Sequence, residues 1–348
     1  MKYSTVRFFA QLILLLFWFV AAVWASDPKG SSSNGTNIFA PASTPARSIT
    51  NLSVFVLCIT GIIFAVVFAL LVYTTAKFRG RRVDDRREPA QVYGSMQIEL
   101  AWTIIPILIV VVLFLATARV IHAVQDAPEP AGALDVIAIG HQYWWEFRYP
   151  KLGIVTANEL HIPVSGPDDP SPTFLQLLSV DTDHSFWVPE LGGKTDLIPN
   201  HPNKMWMDPQ RTGIFLGQCA QYCGTQHAKM MLRVSVDGPD DFSAWVRSQQ
   251  TIAPEDPGAT AGRRVFEQNA CMNCHRVGGT SADGRFGPDL SHLMSRATIA
   301  AGAAENTHDN LRLWIQDPSA IKPGSLMPAM KLSDADLDAV VSYMETLK

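Results

Sequence analysis

A chain of 348 residues is longer than one hydrophobic core usually organises, so two or more domains are expected. A formal net charge of -4, from 28 basic and 32 acidic residues, excludes a basic protein built to hold nucleic acid. Five cysteines is an odd number and speaks against a closed disulfide framework.

The first residues carry Lys2 and Arg7, then an uncharged stretch from Phe8 to Ala25, then Ser26 and Asp27. This order predicts a secretory signal over 1–25, with an uncleaved anchor as the alternative. Residues 26–48, rich in Gly, Ser, Asn and Pro, have the composition of an extracytoplasmic linker.

Residues 49–122 are expected to form a two-helix transmembrane hairpin. No charge falls between Arg47 and Lys77, and none between Leu100 and Ala118. Each stretch is about long enough to cross roughly 30 Å of hydrocarbon. The intervening loop, 77–98, crowds Lys77, Arg79, Arg81, Arg82, Arg86 and Arg87 together, which places it in the cytoplasm. Everything after about residue 122 is then extracytoplasmic. Cys58, inside the first apolar run, reads as a small hydrophobe. Glu99, before the second span, is either a solvated end residue or a functional carboxylate.

Residues 130–240 contain short apolar or alternating runs at 134–150, 154–164, 173–181, 213–218 and 231–236, broken by Pro, Gly and Asp. They predict a β-sandwich. Residues 241–257 are expected to be a linker. The last segment, 258–348, changes to helical spacing: in its final run Leu337, Val340, Val341 and Met344 share one face, and Ser333 before Asp336 is a helix start.

Two motifs carry chemistry. Cys219, Cys223, His227 and Met230 crowd one loop, CAQYCGTQHAKM, with His184 upstream in DTDHSFWVPEL. Thiolates, imidazoles and a thioether are soft ligands and select copper. One Cys, two His and a Met serve a mononuclear site, and the second thiolate allows both sulfurs to bridge a second copper. A disulfide, or a zinc site with both His, are the alternatives, and neither uses Met230. The other motif is Cys271-Met-Asn-Cys274-His275, the attachment pattern of a c-type haem. A redox dithiol or half a zinc site would use the same cysteines. Met327, in KPGSLMPAM, is a second axial ligand for a His/Met haem, with Met330 as its competitor. Phe266, Pro288 and Trp314 are expected around the porphyrin. His122, His161, His201, His292 and His308 have no partner spacing and read as surface or structural residues.

With these motifs, together with IELAWTIIP at the second span and GHQYWWEFRYP at 140–150, the chain resembles subunit II of the haem–copper cytochrome c oxidases, in the variant with a fused C-terminal cytochrome c domain. The resemblance implies two transmembrane α-helices, a cupredoxin-like β-sandwich and an all-α class I cytochrome c domain. It implies a binuclear copper (CuA) centre held by His184, Cys219, Cys223, His227 and Met230, with the backbone carbonyl of Gln221. The position of Gln221 is usually Glu in such subunits and reaches a magnesium ion, so a neutral amide weakens the case for magnesium here. Haem c would be bound covalently by Cys271 and Cys274, its iron by His275 and Met327. Glu99 would be the cytoplasmic mouth of a proton path.

Tyr143 stands where many relatives have a Trp that takes electrons from a docked donor, followed by Trp144 and Trp145. All three are relay candidates, with simple packing as the alternative. The implied partners are oxidase subunits I and III and a donor such as cytochrome c or a cytochrome bc complex. The implied location is a bacterial plasma (inner) membrane, with the copper and haem domains on the periplasmic side. Electrons would pass from donor to haem c, to copper, to subunit I, where oxygen becomes water with proton translocation. This chain would be the relay and do no bond chemistry. A membrane-tethered carrier for another reductase and a copper-handling protein are the rival readings. A quinol oxidase subunit is disfavoured by the copper ligands.

Overall fold

The computed structural model describes residues 36–79, 91, 93–130, 132–166, 170–252, 254 and 256–348. The signal expected over 1–25 and the loop arginines Arg81, Arg82, Arg86 and Arg87 lie outside the described residues.

Two long helices come first, α1 (Thr44–Lys77) and α2 (Met96–Gln125). Their apolar windows reach mean hydropathies of 3.1 and 2.8. Pro45 suits the first turn of α1, where its missing N–H would be unpaired in any case. Both helices run past the expected spans, so Lys77 and residues 96–98 are helical rather than loop. Their side chains are largely exposed Ile, Leu, Val and Phe, as a lipid-facing helix requires.

The second compact unit comprises residues 35–49 and 122–348. Part of the expected linker belongs to it. Ala42 and Ser43 are buried, Ala42 N–H donates to Glu190 O (2.7 Å), and Gln210 N–H donates to Ala42 O (2.7 Å). These backbone bonds hold a segment whose composition alone reads as free chain.

Ten strands build the β-domain: β1 (Leu134–His141), β2 (Trp144–Tyr149), β3 (Ile154–Ala157), β4 (Glu159–Pro163), β5 (Thr173–Ser179), β6 (His184–Trp187), β7 (Thr195–Leu197), β8 (Asn203–Met207), β9 (Gly213–Cys219) and β10 (Met231–Asp237). They form two five-stranded sheets, in the orders β3-β2-β1-β5-β8 and β4-β10-β9-β6-β7. Along β10, Leu232, Val234 and Val236 are buried and alternate with half-buried neighbours, the period of two that the sequence shows. Trp145, Phe147, Phe186 and Phe215 fill the space between the sheets. Strands β6, β7 and β8 were not readable as such: the first two are too short to show a period, and β6 opens with His184 and Ser185.

Residues 241–250 correct the expected linker. They belong to helix α3 (Pro239–Gln250), opened by Gly238 with Asp240 and Asp241 in its first turn. Phe242, Trp245 and Val246 share a face, and the Trp245 ring stacks on His161 with centroids 4.5 Å apart. Burying that face against the sandwich holds the segment helical.

The C-terminal region holds α4 (Thr260–Gln268), α5 (Cys271–Cys274), α6 (His308–Gln316), α7 (Pro318–Ile321) and α8 (Asp334–Met344), with one two-residue strand pair at 298–299 and 304–305. Thr307 and Ser333 cap α6 and α8 through their hydroxyls. The α4–α8 crossing needs Gly262, because a Cβ there would lie 1.9 Å from Ala339 O.

This region is docked on the β-domain. The buried Glu159 carboxylate accepts from Ala297 N–H (3.0 Å), Thr298 N–H (2.9 Å) and the Thr298 hydroxyl (2.8 Å). Met231 N–H donates to Ala301 O (3.1 Å), and Ala301 is buried with Trp144 and Ala157.

Candidate metal centre and haem pocket

Sheet register assembles the first site. Pairing of β6 with β9 sets Phe186 opposite Cys219, which brings His184, on the same face of β6, beside that cysteine. Pairing of β9 with β10 sets Met231 opposite Gln218, and Cys219 N–H donates to Met230 O (2.9 Å). The loop between them returns Cys223 and His227 to the same point.

The two sulfurs of Cys219 and Cys223 lie 3.9 Å apart, and both thiols are free. His184 Nδ1 is 3.9 Å from Cys219 Sγ, His227 Nδ1 is 3.7 Å from Cys223 Sγ, and Met230 Sδ is 3.9 Å from Cys223 Sγ. The carbonyl oxygen of Gln221 is 3.2 Å from Cys219 Sγ. His184, Cys219, Cys223 and Met230 are buried. The five side chains and one carbonyl expected from the sequence therefore meet. Their donor atoms are two thiolate sulfurs, two imidazole nitrogens, a thioether and a carbonyl, a set suited to copper.

The hydrogen bond from the Cys223 thiol, with further ones from His184 and backbone, outweighs burial and pulls Cys219 down to about 3. The same bond and burial push Cys223 up. One shared proton between two sulfurs is what a cation would displace.

The surroundings fix these donors. Asp181 Oδ1 accepts from His184 Nε2–H at 2.8 Å, which leaves Nδ1 facing the sulfurs. Gly140 makes room for that ring, since a Cβ there would meet His184 Cδ2 at 2.7 Å. Gln142 Nε2 donates to Cys223 O (2.6 Å), and Thr225 N–H donates to the Tyr143 hydroxyl (3.1 Å). Asp181 and Gln142 were missed in the sequence. A carboxylate three residues before a ligand His was the available signal for the first.

The second site is an apolar cavity walled by Phe266, Leu293, Ile299, Leu311, Trp314 and Val340, with Cys271, Cys274, His275 and both Met327 and Met330 on its surface. Pro288 lines it too, and its carbonyl accepts from His275 Nδ1–H at 2.8 Å, leaving Nε2 for a metal. Gly287 lies flat against that ring; a Cβ would sit 2.5 Å from His275 Cε1. Burial pushes the His275 imidazole pKa down, which keeps it a neutral ligand. Met327, not Met330, packs against the buried cluster of this region.

Arg296 is buried on the cavity wall with its Nε unpartnered. Its Nη2 donates to Asp289 O, so one buried N–H of the guanidinium is left over on the wall of an apolar cavity, and the two carboxylates of a haem could take it. The residues present thus fit a covalently bound haem.

The β-domain closes this cavity. Gln142, Tyr143, Trp144 and Asn158 contribute to its wall. Tyr143 reaches both sites: it contributes to the cavity wall and its hydroxyl meets the copper loop. Trp144 stacks on His141 at 4.0 Å, while Trp145 lies in the sandwich core against Phe186. Lys322, also on the wall, donates to Tyr143 O (2.7 Å) and Ala300 O (3.1 Å); burial pushes its ammonium pKa down to about 7. Glu99 stands half-buried in the first turn of α2, where a carboxylate suits the helix N-terminus. Among the histidines expected to be structural, His161 meets Asp237 (2.7 Å), His292 the Lys348 carbonyl (2.8 Å), His308 Glu345 (3.0 Å) and His122 Asp126 (2.6 Å).

Known proteins resemble this chain over nearly its whole length. The chain is 36% identical over 331 residues to cytochrome c oxidase subunit 2 of Alkalihalophilus pseudofirmus, covering 93% of this chain and 90% of that protein. It belongs to the cytochrome c oxidase subunit II family. Family models match in order: the subunit II transmembrane domain at 31–120, the subunit II periplasmic domain at 170–236, and cytochrome c at 259–348. Cytochrome c oxidase subunit 2 of Bacillus sp. (strain PS3) is 33% identical over 291 residues, covering 78% of this chain and 80% of that one. Quinol oxidase subunit 2 of Bacillus subtilis is 30% identical over 234 residues, covering 66% and 67%. This subunit II is therefore a multi-pass inner-membrane protein with a periplasmic cupredoxin-like domain and an added cytochrome c domain.

Proposed function

We propose that this chain is the electron-accepting subunit of a terminal respiratory oxidase, a proton-translocating cytochrome c oxidase. The observation that carries this is the meeting of Cys219, Cys223, His184, His227 and Met230 beside a cavity that holds Cys271, Cys274 and His275, with Tyr143 touching both.

When bound, the two cofactors supply one-electron chemistry, from a donor such as cytochrome c or a cytochrome bc complex, through haem c and a CuA pair, to subunit I. Cys219, Cys223, His184, His227, Met230 and the Gln221 carbonyl would hold the copper pair. Asp181 holds His184 to one tautomer. Cys271 and Cys274 would hold the haem covalently, His275 and Met327 would hold its iron, and Arg296 would stand near its carboxylates. Because the ligands sit on paired strands and a buried loop, they keep their places as charge changes, which suits electron transfer. Tyr143 excludes water between the sites and is the relay residue, with Trp144 beside it. Gln221 contributes its backbone carbonyl, and its neutral amide would be a poorer magnesium ligand than a carboxylate. Glu99 serves the cytoplasmic mouth of a proton path into subunit I, and α1 and α2 pack in the membrane with subunits I and III.

The test is the copper EPR spectrum of the oxidised, haem- and copper-loaded full chain. Hyperfine structure from one electron shared by two copper nuclei is expected. A spectrum localised on one copper, or none beside the haem, overturns the reading.

A further inference from the structure

From Lys322 to Ser333 the chain forms no helix or strand, and this stretch carries Met327. A loop of that kind needs outside contacts to hold one side chain in one place. Met327 packs on its own domain's core and Lys322 also bonds Ala300 O, but the start of the loop is held by the copper domain. Lys229 Nζ donates to Ile321 O (2.6 Å), Lys322 Nζ donates to Tyr143 O (2.7 Å), and the Gln226 side-chain amide donates to Pro323 O. Three consecutive residues are thus bonded across the interface. Gly324 then turns the chain at φ +82°, pressed so closely on Thr225 that a Cβ would lie 3.1 Å from its Cγ2. Met327 follows three residues later. Thr225, Gln226 and Lys229 surround His227 in the copper loop.

We propose that Gln226, Lys229 and Lys322 are positioning residues through which the copper loop holds Met327 on the haem iron, so that copper binding and methionine ligation support each other. The proposal rests on the ligand assignments of the preceding section. Its physical basis is that the copper loop is itself a loop, ordered by the metal that its Cys and His side chains would hold. Loosening 223–230 releases the carbonyls of Ile321 and Pro323, and with them the segment that presents Met327. Linkage makes the effect reciprocal: a displaced Met327 weakens copper binding by the same factor.

The test uses the full chain with haem attached, and added imidazole as a competitor for the iron position that Met327 takes. The far-red methionine–iron absorption band reports the bond, and the apparent Kd for imidazole reports how easily it opens. Removing copper from the wild-type protein is expected to tighten imidazole binding about fivefold or more. Gln226→Ala with Lys229→Ala should do the same in copper-loaded protein whose haem content and copper EPR are unchanged, and copper removal should then add little. An unchanged imidazole Kd on copper removal, with the methionine band present, overturns the coupling. A missing methionine band in the copper-loaded wild type overturns the Met327 assignment itself, and the proposal with it.

Discussion

Asp181 Oδ1 lies 2.8 Å from His184 Nε2, and the same carboxylate accepts the Gln142 backbone N–H at 2.6 Å through its other oxygen. One exposed-side carboxylate thus orients a fully buried ligand and the strand end that carries Gln142 and Tyr143. Asp181→Ala should lower copper affinity about 10- to 100-fold, the cost usual for losing such an outer partner. Asp181→Asn should lose less, because an amide oxygen still accepts from Nε2. Competition against a copper chelator measures both, and equal affinity in wild type and Asp181→Ala would show that His184 orients itself.

Gly262→Ala should strike the haem region alone. The new methyl would lie 1.9 Å from a main-chain oxygen, that of Ala339, which cannot swing aside. Separating α4 from α8 should cost about 1–3 kcal/mol or more. Denaturant unfolding followed by haem absorbance reads the loss, while the copper spectrum stays as in wild type.

Arg296→Leu removes the buried cation from the haem cavity. Positive charge there disfavours the ferric state, so its loss should lower the haem midpoint potential by on the order of 50 mV, about 1 kcal/mol for one electron. A redox titration checks this. A potential that rises or stays put would remove Arg296 from the haem's surroundings.

Asp237 predicts an acid sensitivity in the β-domain. Burial raises its pKa, but hydrogen bonds from His161 and Ser235 outweigh it and hold the carboxyl below its ordinary 3.8. A folded pKa below the unfolded one means that the folded state binds fewer protons. Its contribution is therefore complete above the unfolded pKa and is lost as pH falls through the folded one. Below about pH 5, Asp237→Asn should lose stability less steeply than wild type in chemical denaturation. Parallel slopes would show that Asp237 contributes nothing.

Several residues were legible because their meaning is local. Cys271, Cys274 and His275 sit on one turn, Cys219 to Met230 on one loop, and the apolar spans of α1 and α2 need only length and composition. Trp245 was legible and unread: Phe242, Trp245 and Val246 have helical spacing, just before a Pro- and Gly-containing stretch that reads as a linker. Strand β6 gave too little, four residues with His184 at its head.

Chain chemistry by itself thus determined the spans, the order of the matched domains and the residues that the fold brings together at each candidate site, because a motif's spacing and a helix's hydropathy are properties of neighbours in sequence. Only tertiary structure decided that the cytochrome region is docked and that Tyr143 reaches both sites. It alone revealed Asp181, Glu159, Arg296 and Lys322. Lys322 meets Tyr143 across 179 positions, and Glu159 meets Thr298 across 139. Such contacts arise from burying two domain surfaces together, where a lone lysine or glutamate must find whatever backbone partner the packing presents, and no local pattern announces them.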